Sequence, residues 1–305
     1  MPSSFTAINS TYKRLCFDWM EGGSRLTKKP FCTVSCMETM NYKQMKRQLA
    51  ILFIGIAGLL SVPLSAQEVL IHSHNDYLQQ QPFYHAYSYR ASSIEADIFA
   101  TPFNDELRVA HNLFDLPSAP TLDDAYLKPL INLFQQNESR VWKDSDQLLT
   151  LLIDIKVDMC FPLKKLIAKL EYNPEVFDST VNPYAVRVVI SGDRPNAANF
   201  YKYPSCISFD GSHTDYTQEQ LERISMISLN LSDYTRWDGK GSLSAADRQK
   251  LTEVIAKVHS LGKPIRFWGT PDSEEAWAIF HTLGIDYINT NMPEACAAFF
   301  GLLPL

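Results

Sequence analysis

The stretch Ser93-Ile94-Glu95-Ala96-Asp97-Ile98-Phe99 is an apolar strand pattern that contains two acids two residues apart. Alternate side chains of a strand share one face, so Glu95 and Asp97 point the same way and Ala96 points to the opposite side. Two like charges on one buried face are unfavourable unless a cation or a proton compensates them. The spacing therefore predicts a site for a divalent cation.

Short apolar runs like this one recur after Glu68 and alternate with amphipathic stretches typical of helices. They predict eight strands, at 69–73, 93–99, 148–157, 186–191, 206–209, 224–230, 264–268 and 287–289. Helices are predicted between them at 83–89, 122–136, 162–172, 218–223, 245–261 and 274–283. Strand and helix in alternation indicate a parallel α/β sheet, and eight units favour a closed (β/α)8 TIM barrel. An open doubly wound sheet is the alternative.

Residues 45–66 have the three regions of a secretory signal peptide. Met45-Lys46-Arg47 is basic, 49–62 is apolar, and Leu64-Ser65-Ala66 ends in small residues. We predict cleavage near Ala66 and export to the periplasm or medium. We interpret residues 1–44 as an extension upstream of the physiological start, with a genuine N-terminal extension as the alternative. The barrel domain then covers 67–305, without a stable membrane anchor, because the apolar run is shorter than the ~20 residues of a spanning helix.

Charge and cysteine content limit the partners. The 305-residue chain has a net charge of −6, and its first 66 residues hold more basic than acidic side chains, so the remaining domain is more acidic still. Such a domain is not expected to bind nucleic acid or anionic membranes non-specifically. We expect a monomer. Cys160, Cys206 and Cys296 follow the leader without metal-site spacing, and we interpret them as buried small residues.

Polar residues follow the first predicted strands, where the active sites of barrels lie. Asp154 supplies a third carboxylate, and the three acids suit one Mg²⁺ or Ca²⁺ ion. The segment 107–112 is predicted to return His111 to the mouth, opposite His74. Two histidines can move protons at neutral pH, and the ammonium of Lys156 can stabilise a phosphoryl oxygen. This combination favours phosphoryl transfer over acyl transfer.

The set His74, Glu95-x-Asp97, His111 and Asp154-x-Lys156 resembles the PLC-like phosphodiesterase superfamily of TIM barrels. That superfamily includes glycerophosphodiester phosphodiesterases, phosphatidylinositol phospholipases C and the sphingomyelinase D type. The segments 72–77, 93–97 and 109–111 look like the branch named after altered inheritance of mitochondria protein 6, and 284–293 resembles the superfamily's closing strand.

The resemblance implies a phosphoric diester hydrolase acting on a small-molecule or lipid substrate, such as a glycerophosphodiester or a phospholipid headgroup. It implies His74 and His111 as the acid/base pair, Lys156 as the phosphate contact, and Glu95, Asp97 and Asp154 as metal ligands. Two departures affect the glycerol-specific activity more than the class. The usual His-Arg-Gly is His74-Asn75-Asp76 here, and Asp154 stands where many relatives have Glu.

Further residues are weaker candidates for the pocket or its surroundings. His72 shares a strand face with His74 and either acts directly or orients its neighbours, while Asp76 either binds metal or caps a turn. Asn75, His213 after the fifth strand, and Asn230 and Trp268 at the ends of the sixth and seventh strands are predicted near the pocket. Two other functions stay open. The pair His72-x-His74 also fits an amidohydrolase-like metal hydrolase, and a non-catalytic barrel that binds a headgroup is the third reading.

Overall fold

Eight parallel strands close into a barrel in the computed structural model, which describes residues 68–101, 106–302 and 304. The barrel strands are β1 Leu70–Ser73, β2 Ser93–Ala100, β4 Thr150–Ile155, β5 Arg187–Gly192, β6 Ser208–Gly211, β7 Ile224–Asn230, β8 Ile265–Trp268 and β9 Tyr287–Thr290. Strand β3, Leu107–Val109, pairs antiparallel with β2 outside the barrel. β1 pairs with both β2 and β9, which closes the sheet. The predicted TIM barrel is confirmed, and the open sheet is excluded.

Helices cover the outside of the barrel between the strands. They are α1 Tyr84–Ser88, α2 Lys128–Gln136, α3 Cys160–Glu171, α4 Pro174–Phe177, α5 Gln218–Leu221, α6 Ala245–Ser260, α7 Glu274–Leu283 and α8 Pro293–Phe299. A π-helix, Asp123–Leu127, leads directly into α2. The hydroxyls of Ser244 and Ser273 cap α6 and α7, and Gly284 ends α7 in the left-handed conformation. The short helices α4 and α8 were not predicted from the sequence.

The two faces of β2 show how the sequence builds the barrel. Ile94, Ala96 and Ile98 point outwards into the main hydrophobic core under the helices. The alternate residues point into the barrel, whose lower half is filled by a separate apolar cluster of Leu152, Val189, Met226 and Tyr287. Nearer the carboxyl ends of the strands, the inward-pointing residues are polar. The barrel interior therefore changes from a hydrophobic core at one end to a polar site at the other.

Strand register brings the acids together. Asp97 is paired with Asp154 on β4, and Glu95 lies one inward position below Asp97. Residues paired across neighbouring strands point to the same face of a sheet. The three carboxylates therefore converge inside the barrel near the carboxyl ends of its strands.

Two predictions about the N-terminal segments cannot be compared with the structure, and one about the cysteines is corrected by it. The signal peptide at 45–66 and the extension 1–44 lie outside the described residues. Cys206 and Cys296 are buried, but Cys160 is exposed because it starts α3, and the three thiols are free. Within the described part of the chain, no helix is long and apolar enough to cross a bilayer.

Candidate active site

The three carboxylates at the barrel mouth form a compact cluster. One ligand oxygen from each of Glu95, Asp97 and Asp154 lies within 4.8 Å of the others. Glu95 and Asp97 are buried, and Asp154 is partly exposed. Gly192 at the end of β5 leaves room for Asp154, because a Cβ atom there would lie 1.8 Å from Asp154 Oδ1. A side chain at residue 192 is thus incompatible with this position of the carboxylate.

Asp97 is the least satisfied acid of the cluster. Its Oδ2 accepts a hydrogen bond from Tyr77 Oη at 2.7 Å and lies 3.0 Å from Lys156 Nζ. Its Oδ1 is buried and has no hydrogen-bond partner among the described residues. Burial raises the pKa of Asp97, and the negative charge of Glu95 raises it further. A buried carboxylate oxygen without a donor requires a proton or a cation, and a hard cation fits an all-oxygen set.

Glu95 differs because a buried cation lies beside it. Arg266 on β8 places Nη1 3.1 Å from Glu95 Oε2, and both side chains are almost fully buried. Burial opposes ionisation of Glu95, but the hydrogen bond from His72 and the charge of Arg266 outweigh it and lower its pKa. Arg266 also donates to Ser228 Oγ at 2.9 Å and to Asn289 Oδ1 at 3.1 Å. This network anchors Glu95 as a carboxylate.

His72 belongs to the same network rather than to the open cavity. Its Nε2 lies 2.8 Å from Glu95 Oε2 and 2.6 Å from Arg266 Nη1, and its Nδ1 lies 2.8 Å from Ser93 Oγ. Burial, reinforced by the charge of Arg266, lowers the pKa of His72 to about 3. A neutral, fully enclosed imidazole cannot exchange protons with a ligand in the cavity. His72 therefore orients Glu95.

His74 stands above Glu95 with one ring nitrogen fixed by the opposite loop. Its Nδ1 lies 2.9 Å from Asn291 Oδ1, and its Nε2 lies 3.9 Å from Glu95 Oε1. Asp272 accepts a hydrogen bond from the backbone amide of Asn291 at 2.7 Å, which holds this loop in place. The amide nitrogen Nδ2 of Asn75 also lies 3.0 Å from Nδ1 of His74, so two amide side chains hold the ring at this nitrogen.

His111 faces the cluster from the loop after β3. Its Nδ1 lies 3.0 Å from Tyr77 Oη and 3.4 Å from Asp97 Oδ2, and its ring is more than half exposed. The backbone amide of Ala110 donates to Asp97 O at 3.1 Å, which extends the β2–β3 pairing up to the histidine. Burial and the bond to Asp97 raise the pKa of Tyr77, so its phenol stays protonated.

Lys156 lies between two of the acids. Its Nζ is 3.0 Å from Asp97 Oδ2 and 3.5 Å from Asp154 Oδ2. Burial opposes its charge, but the two carboxylates outweigh burial and raise its pKa, so it remains an ammonium. Burial raises the pKa of Asp154 even beside this cation. The site thus carries three acids against the two cationic side chains Lys156 and Arg266.

These side chains line a cavity of about 370 Å³. It contains all six residues predicted as catalytic or metal-binding, together with Asn75 and Trp268, and also Ser191, Gly192, Arg194, Asp210, Gly211, Ser212, Ser228 and Arg266. Trp268 is partly exposed at the rim. Besides the acid cluster on β2 and β4, the lining comes from β5, β6, β7 and β8.

Three predicted pocket residues lie elsewhere. Asp76 is buried beneath the mouth, where it accepts hydrogen bonds from Phe83 N at 2.6 Å, Ser73 Oγ at 2.9 Å and Tyr126 Oη at 2.9 Å, so it braces the β1 turn. His213 is exposed and stacks on Tyr216.

Asn230 caps the 3₁₀-helix that follows β7 by accepting from Ser232 N at 3.0 Å. Like Asp76 and His213, it does not line the cavity. In all three cases the polar side chain serves local structure near a strand end.

Comparison with known proteins shows which families this site resembles. A family model described as AIM6-like phosphodiesterase domain matches residues 62–195, which hold the three acids, both cavity histidines and Lys156. This part of the chain is similar to that domain. A second model, the glycerophosphoryl diester phosphodiesterase family, matches residues 264–294, which include Arg266 and Trp268.

Curated proteins named after the same family are similar to most of this chain. Altered inheritance of mitochondria protein 6 of Eremothecium gossypii is 24% identical over 75% of this chain and 69% of the relative. A homologue from Arthroderma benhamiae is 26% identical over 75% of this chain and 83% of the relative.

Solved structures share the fold of this chain. A glycerophosphodiester phosphodiesterase from Parabacteroides distasonis superposes with a TM-score of 0.51 at 14% identity, covering 77% of this chain and 98% of that one. Another from Agrobacterium tumefaciens gives a TM-score of 0.50 at 15% identity, covering 77% and 99%.

Among the cavity residues that were not predicted from sequence, Arg266 and Asp210 are buried and ionisable. Arg266 stands between Ile265 and Phe267 in a predicted strand, so alternation marks it as an inward-pointing charge. Asp210 directly follows Phe209, one residue beyond the predicted strand 206–209. An ionisable residue on the inner face of a barrel strand indicates a functional site, as Glu95 did. Arg266 and Asp210 were less noticeable in the sequence, because each is a single charged residue without a second one two positions away, as in β2.

Proposed function

We propose that this chain is a metal-dependent phosphoric diester hydrolase that binds one divalent cation, Mg²⁺ or Ca²⁺. Its substrate is a small-molecule or lipid phosphodiester, such as a glycerophosphodiester or a phospholipid headgroup. The observation that carries the proposal is the buried Oδ1 of Asp97, which lacks a partner among the described residues inside a cluster of three converging carboxylates.

The charges at the site support this proposal. Glu95, Asp97 and Asp154 are opposed by two cationic side chains, Lys156 and Arg266. A divalent cation together with a singly charged phosphodiester brings this group to neutrality. Unbalanced charge in a largely buried site is costly. These side chains are therefore better suited to binding a metal ion and an anion together than to binding either one alone.

The residues of the chain have distinct parts in the proposed reaction. Nε2 of His74 is free to accept a proton from the attacking hydroxyl, since its Nδ1 is held by Asn291. His111 is fixed through Nδ1 by Tyr77 and Asp97, which leaves Nε2 to protonate the leaving oxygen. Lys156 offers its ammonium to a phosphate oxygen. A bound divalent cation would add Lewis-acid stabilisation of the charge that develops on the phosphate.

The surroundings of His72 in the His72-x-His74 pair argue against the amidohydrolase-like alternative. In that class both histidines of the His-x-His pair would bind metal. Here Nε2 of His72 is enclosed between Glu95 and the guanidinium of Arg266, and the ring is fully buried. A cation at Nε2 would have to displace the positive charge of Arg266.

We also propose that the protein is exported after cleavage near Ala66 and acts as a monomer. The support for export is the signal-peptide pattern of residues 45–66. Mass spectrometry of the protein from a periplasmic or secreted fraction should find an N-terminus near Gln67. An N-terminus at Met1 or Met45 in that fraction would contradict cleavage.

Hydrolysis of bis(4-nitrophenyl) phosphate tests the enzymatic proposal. We expect EDTA to abolish hydrolysis and either Mg²⁺ or Ca²⁺ to restore it. Glu95→Ala removes a proposed metal ligand and His111→Ala an acid/base group, and each should lower kcat/KM by at least about 100-fold. His213→Ala, at an exposed histidine outside the cavity, is the matched control. No turnover with either cation would favour a non-catalytic headgroup-binding barrel, and full activity of either cavity variant would contradict the proposed site.

A further inference from the structure

A second cavity, of about 290 Å³, lies at the amino-terminal end of the barrel, and we call it the basal cavity. Its lining includes Arg187 and Ser208, the first residues of β5 and β6, and Ser225 near the start of β7. Parallel strands begin at the end of a barrel opposite to the active site. On the inner face of β5, Val189 of the apolar cluster lies between Arg187 and Ser191, so this cluster separates the two cavities.

Two arginines give the basal cavity a positive charge. Arg187 is exposed, and Arg223, which directly precedes β7, is partly buried. Other arginines in the described part of the chain form ion pairs with carboxylates, but neither of these two does. Burial lowers the pKa of Arg223, although a guanidinium stays protonated at neutral pH. The basal cavity therefore holds two cations that no carboxylate contacts directly.

Arg223 also has an unused hydrogen-bond donor. Its Nη2 donates to Pro204 O at 2.8 Å and to Ile207 O at 2.9 Å, which fixes the guanidinium against the loop before β6. Its Nε is buried and has no acceptor among the described residues. A buried donor without an acceptor costs free energy, and more so when the group is charged. An anion beside this guanidinium would compensate its charge and offer the missing acceptor.

Serine hydroxyls add neutral donors to the same lining. Ser208 Oγ lies 2.6 Å from Ser225 Oγ and 3.3 Å from Val188 O. When Ser208 donates to Ser225, the hydroxyl proton of Ser225 is left for a ligand. The exposed hydroxyl of Ser179 also lines the cavity. Guanidinium and hydroxyl groups together are the donors that proteins commonly use for phosphate oxygens.

Two acids near the basal cavity leave these cations unpaired. Glu222 lines the cavity but is exposed, so solvent and salt screen its charge. Asp178 lies beside the lining residue Ser205, whose hydroxyl donates to its Oδ2 at 2.7 Å. The backbone amide of Thr180 donates to the other oxygen of Asp178 at 2.9 Å. Both oxygens of this carboxylate are thus already bonded.

We propose that the basal cavity binds a phosphate group, with Arg187 and Arg223 as its cationic contacts. A dianionic phosphate, whether free or part of a small phosphomonoester, balances the two guanidiniums. The apolar side chains of Phe177, Val186 and Ile207 also line the cavity and would contact the organic part of a monoester. The inference does not depend on the proposed function, because the basal cavity and the active site share no lining residue in the described part of the chain.

Isothermal titration calorimetry with inorganic phosphate tests this site. EDTA removes divalent cations from the acid cluster, and a mildly alkaline buffer keeps phosphate mainly dianionic. Arg187→Met and Arg223→Met should each weaken phosphate binding by at least about 10-fold, the order expected for a lost hydrogen bond to a charged group. Lys156→Met at the acid cluster and Arg248→Met at an exposed arginine on α6 should bind phosphate as the wild-type protein does.

Phenyl phosphate and acetate identify the ligand chemistry. Tighter binding of phenyl phosphate than of inorganic phosphate assigns the site to a phosphomonoester, and the reverse order assigns it to free phosphate. Acetate that binds as tightly as phosphate would overturn phosphate recognition.

Two results would overturn the basal site itself. One is the absence of phosphate binding by the wild-type protein at millimolar concentration. The other is a loss of binding in Lys156→Met without a loss in Arg187→Met, which would place the phosphate at the acid cluster. If Arg223→Met fails to fold by circular dichroism, Arg187→Met remains decisive, because Arg187 is exposed and lies outside the active site. Arg187→Met should hydrolyse bis(4-nitrophenyl) phosphate at the wild-type rate.

Discussion

Arg266 provides the strongest test of how the barrel interior holds the site. The variant Arg266→Met keeps the length of the side chain but removes its charge and its bonds to Ser228 and Asn289. It leaves Glu95 buried without its cation at 3.1 Å. Loss of one partner of a buried ion pair costs about 3–5 kcal/mol. For a domain of this size that corresponds to a fall in Tm on the order of 10 °C.

The pH dependence of this effect has a defined sign. Glu95 and His72 both have lowered pKa values in the folded protein, partly through Arg266. The wild-type protein therefore loses stability as pH falls from the ordinary histidine value of 6.5 towards the pKa of about 3 for His72. Without Arg266 both pKa values rise, so protonation below pH 6.5 costs the variant less. The difference in stability should shrink as pH falls.

Urea denaturation in EDTA at pH 7.5 and pH 5 measures the loss of stability in Arg266→Met and its pH dependence, without bound metal. Arg248→Met, at an exposed arginine on α6, is the matched control and should change the free energy of unfolding by less than about 0.5 kcal/mol. A cycle with Glu95→Gln should show that the double variant is less destabilised than the sum of the singles. A loss below about 1 kcal/mol in Arg266→Met, or a difference that grows at pH 5, would refute this account of the interior.

Three further predictions concern single positions. Gly192→Ala should lower kcat/KM on bis(4-nitrophenyl) phosphate by at least about 10-fold, because its Cβ would lie 1.8 Å from Asp154 Oδ1. Gly262→Ala, also at positive φ but with no atom within 4 Å of its Cβ, should keep activity, and equal losses in both would count against the steric reason. Tyr77→Phe should lower kcat about 10-fold with little change in fold, as measured by initial rates and circular dichroism, since the phenol contacts both Asp97 and the exposed cavity histidine. Among the thiols in the described part of the chain, Cys160 should react first with a maleimide in peptide mass spectrometry, and faster labelling of either buried cysteine would contradict the packing.

The sequence predicted the parts of the fold that depend on local periodicity. In β2 the outward Ile94, Ala96 and Ile98 alternate with inward polar residues, and this pattern survives in the structure because one face meets the helices and the other meets the site. The order of strands followed from the alternation of strand and helix. The pairing of Asp97 with Asp154 could be expected from that order, although the register itself comes from the closed sheet.

The features that the sequence did not predict depend on contacts between distant parts of the chain. Arg266 and His72 are 194 residues apart in the chain, and nothing in either segment alone indicates that they meet. Asp76 looked like a metal ligand or a cap, and the structure shows three donors from its surroundings that make it a brace. His213 occupies a strand end, as a site residue would, but its ring stacks outwards on Tyr216. Side-chain direction after a strand end is set by the loop and not by the strand.

A crystal of the protein grown with Mn²⁺ in place of Mg²⁺ or Ca²⁺ tests the central claim most directly. Anomalous scattering from manganese should show one peak within bonding distance of Glu95, Asp97 and Asp154, with Oδ1 of Asp97 among the ligands. Asp97→Asn crystals should lose most of that peak. A cavity with no anomalous peak at saturating Mn²⁺, or a peak bound instead at His72, would contradict the metal site on which the proposed function rests.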